Sequence, residues 1–250
     1  MDRPFERTLV SRGYEMNATG TIPLSVVARY LEHCRWEAMR DAGYGLRSIW
    51  GRGVVRAQRI DLLTALRFGQ EVRFDVCVFK VGRTSLELVH AIELVDGGEL
   101  VGRASATLVR LGHDGRPSPL PAEAQALVRR AIPPEVAAPP GEVPTNAFVR
   151  EIVVSPSDQD IQQHVNQARY IDFIEDTRAF AARASKLDAE HERAGEALGR
   201  RVYIEYAREA SFGEKLSVSL WGIQGESNAF GAEIRNASAE LVTQARVETA

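Results

Sequence analysis

RYLEHCRWEAM, residues 29–39, is written a second time, loosely, as DFIEDTRAFAA at residues 172–182. Glu32 falls on Glu175 and Arg35 on Arg178, both 143 residues apart. The same offset carries Asn17 onto Asp160 and Thr21 onto His164. At an offset of 144, RFGQEV meets SFGEKL, laying Phe68 on Phe212 and Gly69 on Gly213. GELVGRASA parallels AELVTQARV, with Glu99 on Glu240. Any one of these matches is weak. Several in one order, with offsets drifting by only a few residues, indicate a duplicated unit, and the duplication decides how many cores the chain builds.

Each copy has the same plan: a short strand, a polar loop, one long helix, then strands. In the first copy the strand is ERTLVSRGYE, and Leu24, Val27, Ala28, Leu31, Cys34 and Ala38 follow the spacing of a buried helical stripe. Gly43 stands where a left-handed C-cap would end that helix. EVRFDVCVF, SLELVHAIEL and LVGRASATLVRL alternate with period two, and Asp96-Gly97-Gly98 between the last two is a hairpin signal. In the second copy FVREIVVS leads, and Tyr170, Phe173, Ile174, Thr177 and Ala181 repeat the helical stripe. RRVYIEYARE, KLSVSLWGIQ, AFGAEIRNAS and ELVTQARVET then read as strands.

Between the copies, residues 121–131 predict a short helix opened by a proline. The stretch after it holds five of the eleven prolines (Pro133, Pro134, Pro139, Pro140 and Pro144) and reads as an extended linker. The expected organisation is α+β, with a unit over 1–132, a linker over 133–145 and a second unit over 146–250, each unit one helix on one antiparallel sheet.

The 250 residues suffice for two modest cores, and 44% hydrophobic with 26% charged is ordinary for a globular chain. A formal charge of −3 argues against a general nucleic-acid binder. Two cysteines, Cys34 and Cys77, make no disulfide framework, and no Cys/His cluster suggests a metal. No apolar run reaches the length of a membrane span, and the first residues lack a secretory apolar region, so a cytoplasmic protein without cofactor is expected.

The chemistry concentrates in SDQDIQQHVNQARYIDFIED, residues 157–176. Asp160, Gln162, His164 and Asn166 alternate with Ile161, Gln163 and Val165, so four polar groups share one side of a short extended segment at the mouth of a helix. On spacing alone a capping loop is the better account, since Asp and Asn are favoured at caps. A lone histidine is more often structural than catalytic.

The duplicated helix-on-sheet plan resembles the double hotdog arrangement, and here the resemblance becomes specific. DQDIQQHVNQARYIDFIED is similar to the D-x-D-x-N-x-H-V-N-N-x-K-Y-I-x-W-x-x-E signature of the acyl-ACP thioesterases, which end fatty-acid elongation in plants and bacteria. YIEYAREASFG resembles the L-E-Y-R-R-E-C block of that family, and SRGYEMNATGTIPLSVVARYLEH and GRPSPLPAEAQALVR resemble its N-terminal half. The resemblance implies two hotdog units and hydrolysis of a fatty acyl thioester carried on acyl carrier protein, with no metal or cofactor. Carried over position by position, it implies catalytic roles for Asp160, His164 and Glu209. The family's catalytic asparagine falls on Gln162, a departure that moves the amide one methylene outward. Its frequent cysteine falls on Ala210. Acyl-CoA remains open as the carrier, as does a catalytically weak acyl-binding protein, favoured by Gln162 and Gln167, and so does a homodimer.

The residues themselves suggest how such a site works. Without a GxSxG motif, the carboxylates of Asp160 or Glu209 must activate water or attack directly. His164 could orient water or donate to the leaving thiolate, and the amides of Gln162 and Asn166 could hold water or substrate. Backbone N–H groups over 165–168 would stabilise the oxyanion. The first copy carries Asn17, Thr21 and Ala65 at the positions of Asp160, His164 and Glu209, which predicts one active site per chain, with the first copy as a lid or acyl pocket. Glu209 is expected late in a strand, and Glu175 with Arg178 as a helix-surface or inter-half pair. Trp36, Trp50 and Phe68 are expected as core or tunnel wall. Arg129, Arg130, Arg200 and Arg201 are candidate contacts for an acidic carrier protein.

Overall fold

The computed structural model describes residues 4–41, 45–46 and 52–250. It divides into two compact units, Met1–Glu135 and Val136–Ala250, and the division falls inside the proline-rich connector. Gly43 and Trp50, named above as a helix stop and an apolar wall, lie outside the described residues.

In the first unit β1 (Phe5–Val10) leads to α1 (Leu24–Arg40), then β2 (Arg52–Leu62), β3 (Glu71–Val81), β4 (Ser85–Leu94) and β5 (Leu100–Leu111). The strands lie in the order β1-β3-β4-β5-β2, each pair antiparallel. In the second unit β6 (Phe148–Val153) precedes α2 (Gln167–Arg183), a one-turn α3 (Glu192–Gly195), β7 (Gly199–Tyr206), β8 (Lys215–Gly222), β9 (Ala229–Asn236) and β10 (Leu241–Thr249). Its order, read from the other edge, is β6-β8-β9-β10-β7, again antiparallel throughout. The two orders are the same topology, as the duplicated sequence requires.

The helical stripes do the packing. Leu24, Val27, Ala28, Leu31, Cys34 and Ala38 of α1 are all buried, as are Tyr170, Phe173, Ile174, Thr177 and Ala181 of α2. Each helix lies on its own sheet, α1 over β1 and β3, α2 over β6 and β8. Full burial of one such Leu, Ile or Phe contributes about 1.5–3 kcal/mol, far more than helix propensity supplies. Cys34 and Cys77 are buried and free, and burial pushes the Cys34 thiol up to about 12, so it behaves as a small apolar group.

Several local expectations change. β2 was not marked by its sequence because the register shift between Val55 and Ala57 breaks the period-two alternation. The helix expected over 121–131 is a tighter 3₁₀ turn, Ala122–Leu127. Val128 instead pairs in parallel with Val78, and the Arg129 N–H donates to the Val78 carbonyl at 2.8 Å, so strand pairing draws the chain out of the helix. Trp36 and Phe68 are not core: they are 50% and 60% exposed, Trp36 because it stands off the buried stripe of α1. Arg178 is not a surface cation either. Buried at 4% exposure, it holds Glu175 at 2.7 Å and donates to the carbonyls of Ala194 and Gly195 at 2.9 and 2.8 Å, clasping α3 to α2 within one unit.

Candidate active site

Two loops of the second unit meet at the mouth of α2. The first leaves β6 through a 3₁₀ turn, Pro156–Asp158, whose Asp158 is buried. The Asp158 carboxylate accepts from the Ser155 N–H at 2.8 Å and from Arg169 Nε and Nη2 at 2.9 and 2.7 Å. Its backbone carbonyl accepts from the Asn166 N–H at 2.9 Å. Between these ties lies the turn from Asp160 to His164. The Asp160 N–H donates to the His164 carbonyl at 2.9 Å, and the Gln163 N–H to the Asp160 carbonyl at 3.0 Å. Gln163 sits at φ 64°, a left-handed conformation that carries strain in a residue other than glycine.

The second loop follows β7 and is stitched to the first. The Val165 N–H donates to the Ala210 carbonyl at 2.8 Å, and His164 and Ser211 form an isolated antiparallel bridge. That stitch carries Glu209 to His164, with Nδ1 to Oε2 at 3.0 Å. Glu209 therefore lies past the end of β7, in the connecting loop rather than late in a strand. The His164 and Glu209 side chains are 32% and 53% exposed, so water reaches the pair directly. A carboxylate beside Nδ1 can orient the ring and leave Nε2 available to a second partner.

The first unit contains the same scaffold without the chemistry. The Asn17 N–H donates to the Thr21 carbonyl at 3.0 Å, the Gly20 N–H to the Asn17 carbonyl at 3.0 Å, and the Ile22 N–H to the Leu66 carbonyl at 2.9 Å. Thr21 bridges Arg67 as His164 bridges Ser211. Gly20, at φ 74°, occupies the left-handed position that Gln163 holds in the second unit. These equivalences put Asn17 on Asp160, Thr21 on His164 and Ala65 on Glu209 in three dimensions. The Asp160, His164 and Glu209 side chains are thus additions to a loop frame that folds without them.

Not every named residue is brought to the His164–Glu209 pair. One Asp160 oxygen accepts from the Gln162 N–H at 2.8 Å, which closes the turn. The Gln162 side chain is exposed and makes no hydrogen bond among the described residues. Asn166 is the N-cap of α2: its Oδ1 accepts from the Ala168 N–H at 2.9 Å. The expected set of open amides over 165–168 is corrected accordingly. The Val165, Asn166 and Ala168 N–H groups are all engaged, and of these four amides only that of Gln167 has no partner among the described residues. Capping chemistry and loop stitching took the donors that a bare helix terminus would have offered.

Two residues escaped sequence reasoning. Asp158 and Arg169 anchor the loop from beneath, and Arg169 also pairs with Asp172. The signal was present, because an acid just ahead of a helix and a basic residue in its first turn is a pairing pattern, but nothing in it announces burial. Of the candidate carrier contacts, Arg130 is exposed, Arg129 donates to the carbonyls of Ala126 and Val128 at 2.8 and 2.9 Å, and Arg201 pairs with Glu248 at 3.3 Å. Arg200 is half-buried. Among the described residues no three His, Cys, Asp or Glu side chains converge as metal ligands, and no helix is long and apolar enough to cross a membrane.

Two units of one helix-on-sheet topology, with an imidazole and a carboxylate meeting on open loops at the mouth of the second helix, define a tandem hotdog protein. The Thioesterase superfamily profile matches residues 20–101, and the Acyl-ACP thioesterase C-terminal domain profile matches residues 141–249. The chain belongs to the acyl-ACP thioesterase family. Its fold is similar to that of an acyl-ACP thioesterase from Bacteroides thetaiotaomicron, with a TM-score of 0.81 and 19% identity over 98% of this chain and 97% of that one. It is also similar to the 12:0-ACP thioesterase from Umbellularia californica, with a TM-score of 0.79 and 16% identity over 98% and 96% of the two chains. Among curated proteins, none matches this sequence.

Proposed function

We propose that this protein hydrolyses fatty acyl-ACP to free fatty acid and the carrier thiol, using one site in its second unit. The observation that carries the proposal is the 3.0 Å contact between His164 and Glu209, joined across two stitched loops and absent from the equivalent positions Thr21 and Ala65. Family membership supports the substrate class.

In this mechanism Glu209 holds the imidazole by Nδ1, and Nε2 takes a proton from a water aimed at the thioester carbon. Asp160, at the other end of the same turn, is the second carboxylate, and its role in this reading is to orient that water or to attack directly. The tetrahedral oxyanion finds its backbone donor in the Gln167 N–H. His164 then returns its proton to the departing thiolate. Gln162 keeps an amide on the solvent side of the turn, where it can swing toward a bound substrate. Arg130 is an exposed cation for an acidic carrier.

The test is thiol release from a panel of acyl-ACPs and acyl-CoAs of graded chain length, with the wild type, Asp160→Asn and Gln162→Asn. An active wild type and an inactive Asp160→Asn support the proposal, and the panel names carrier and chain length. Turnover on acyl-CoA alone would replace the carrier. Silence of the wild type with activity in Gln162→Asn would make the native protein an acyl binder. Silence of all three on every substrate would end the hydrolase account.

A further inference from the structure

Two polar side chains stand in the apolar interior of the first unit. His90 of β4 and Gln58 of β2 are each 1% exposed. Both ring nitrogens of His90, and the Oε1 and Nε2 of Gln58, lack a hydrogen-bond partner among the described residues. The Asp75 backbone comes near the imidazole, but not in the geometry of a hydrogen bond. Burying polar atoms without partners is costly, and each such group calls for an explanation.

Strand register puts the two on one face. Phe74 of β3 meets Tyr30 of α1 edge-on, with ring centroids 5.8 Å apart, so the Phe74 face is the one that α1 covers. Phe74 lies opposite Ile92, and His90 stands two residues along β4 from Ile92, on the same side. On β5, Ala104 lies opposite both His90 and Ile60, and Ala106 opposite both Leu88 and Gln58. His90 and Gln58 therefore flank β5, which presents between them only the methyl groups of Ala104 and Ala106. Ile60, Leu88 and Ile92 around them are buried.

Packing does not require this pair. The offset of 141 that lays Glu99 on Glu240 also lays Ala104 on Ala245 and Ala106 on Val247. In the second sheet Ala245 lies opposite Ala232, and Val247 opposite Val202. Ala232 and Val202 are both buried, so apolar side chains fill the same two places in the other copy.

The chemistry of the pair indicates a ligand. Burial pushes the imidazole well below its ordinary range, so at neutral pH it is uncharged, with one N–H donor and one acceptor nitrogen. The Gln58 amide also offers donors and an acceptor. Two neutral groups of this kind in aliphatic surroundings match a hydroxyl on a hydrocarbon chain, which accepts from one and donates to the other. An oxo group only accepts and would use half of that capacity. A plain chain would leave all four atoms unpartnered.

We propose that the α1-covered face of the first sheet binds a hydroxylated aliphatic chain, whose hydroxyl pairs with His90 and Gln58. That the chain is an acyl group, so that hydroxyacyl thioesters are the preferred substrates, rests on the proposed function.

The test is calorimetric titration of the full chain with dodecanoic acid and with its hydroxy and oxo derivatives, substituted near the carboxyl end, mid-chain and near the methyl end. Thiol release from the matching acyl-ACPs is measured in parallel. At one hydroxyl position the wild type should bind the hydroxy acid about 10-fold more tightly than the parent acid, the worth of roughly one net hydrogen bond, with the oxo acid between them. His90→Leu and Gln58→Met keep the approximate volume and remove the polar atoms. Each should bring that ratio within about 2-fold, leave binding of the parent acid unchanged, and hold or raise Tm. A wild type that binds hydroxy and parent acids alike at every position, or binds none of them, overturns the proposal whatever the variants do. A ratio that both variants retain overturns it as well. No ratio in the wild type together with a lower Tm in both variants would assign the pair to internal water. A wild type that releases no thiol but shows the ratio, and loses it in the variants, overturns only the hydrolase assignment.

Discussion

Removing the Asp158 side chain should unmake the loop that carries the site. Its carboxylate is 5% exposed and takes three N–H bonds, one from Ser155 and two from Arg169. Deleting one partner of a buried ion pair typically costs 3–5 kcal/mol. Arg169 is 32% exposed and keeps Asp172, which lowers the expectation for Asp158→Ala to about 2–3 kcal/mol. For a unit of this size that is a fall of roughly 10 °C or more in Tm. The Asp160–His164 turn hangs between the Asp158 anchor and α2, so hydrolysis should fall with stability, well below the loss of folded protein at the assay temperature. Thermal unfolding by circular dichroism, with kcat measured at a temperature where the variant is folded, reads both. Asp158→Asn keeps one acceptor but turns an NH2 toward another donor, and should lie between the alanine variant and the wild type. An Asp158→Ala protein that melts within about 2 °C of the wild type and retains its kcat would refute the anchoring argument.

Three further outcomes follow from local geometry. Burial, with Glu6 and Glu93 nearby, raises the Asp75 carboxyl to about 6 from an ordinary 3.8, against the opposing charge of Arg73. Between those values the folded state holds a proton that the unfolded chain has lost, so stability falls as pH rises through about 4 to 6, and Asp75→Asn should flatten that part of a Tm-against-pH curve. A methyl group at Gly222 would meet the His191 ring at 2.3 Å. That ring is fixed by Asp188 at 2.5 Å and the Glu226 carbonyl at 3.1 Å, so Gly222→Ala should destabilise by at least about 1–3 kcal/mol in chemical denaturation. Gln163→Gly should be neutral or stabilising by up to about 1 kcal/mol, whereas Gly20→Gln should destabilise by about 1 kcal/mol, because both positions need a left-handed backbone.

The repeated segment made the architecture legible. Leu31 and Ile174 mark buried helix faces because the 3.6-residue period survives in both copies, and the strand order repeats as the sequence does. β2 was hidden by its bulge, and the 3₁₀ turn at Ala122–Leu127 by a bridge to a strand far away in sequence. The candidate site was legible as residue types but not as hydrogen bonds. That Asn166 is a cap, that three of four loop amides are engaged, and that Asp158 is buried all depend on loop conformation, which no periodicity encodes.

The account turns on Glu209, the residue that the stitched loops bring to His164 and that the first unit replaces with Ala65. The most direct measurement is kcat for thiol release from acyl-ACP by Glu209→Ala, with its Tm recorded alongside. At 53% exposure this side chain should contribute little to folding. The account predicts a loss of about 100-fold or more in kcat with Tm within about 2 °C of the wild type. A variant that folds normally and hydrolyses acyl-ACP within about 3-fold of the wild type would contradict it, and the chemistry would have to be sought elsewhere in the chain.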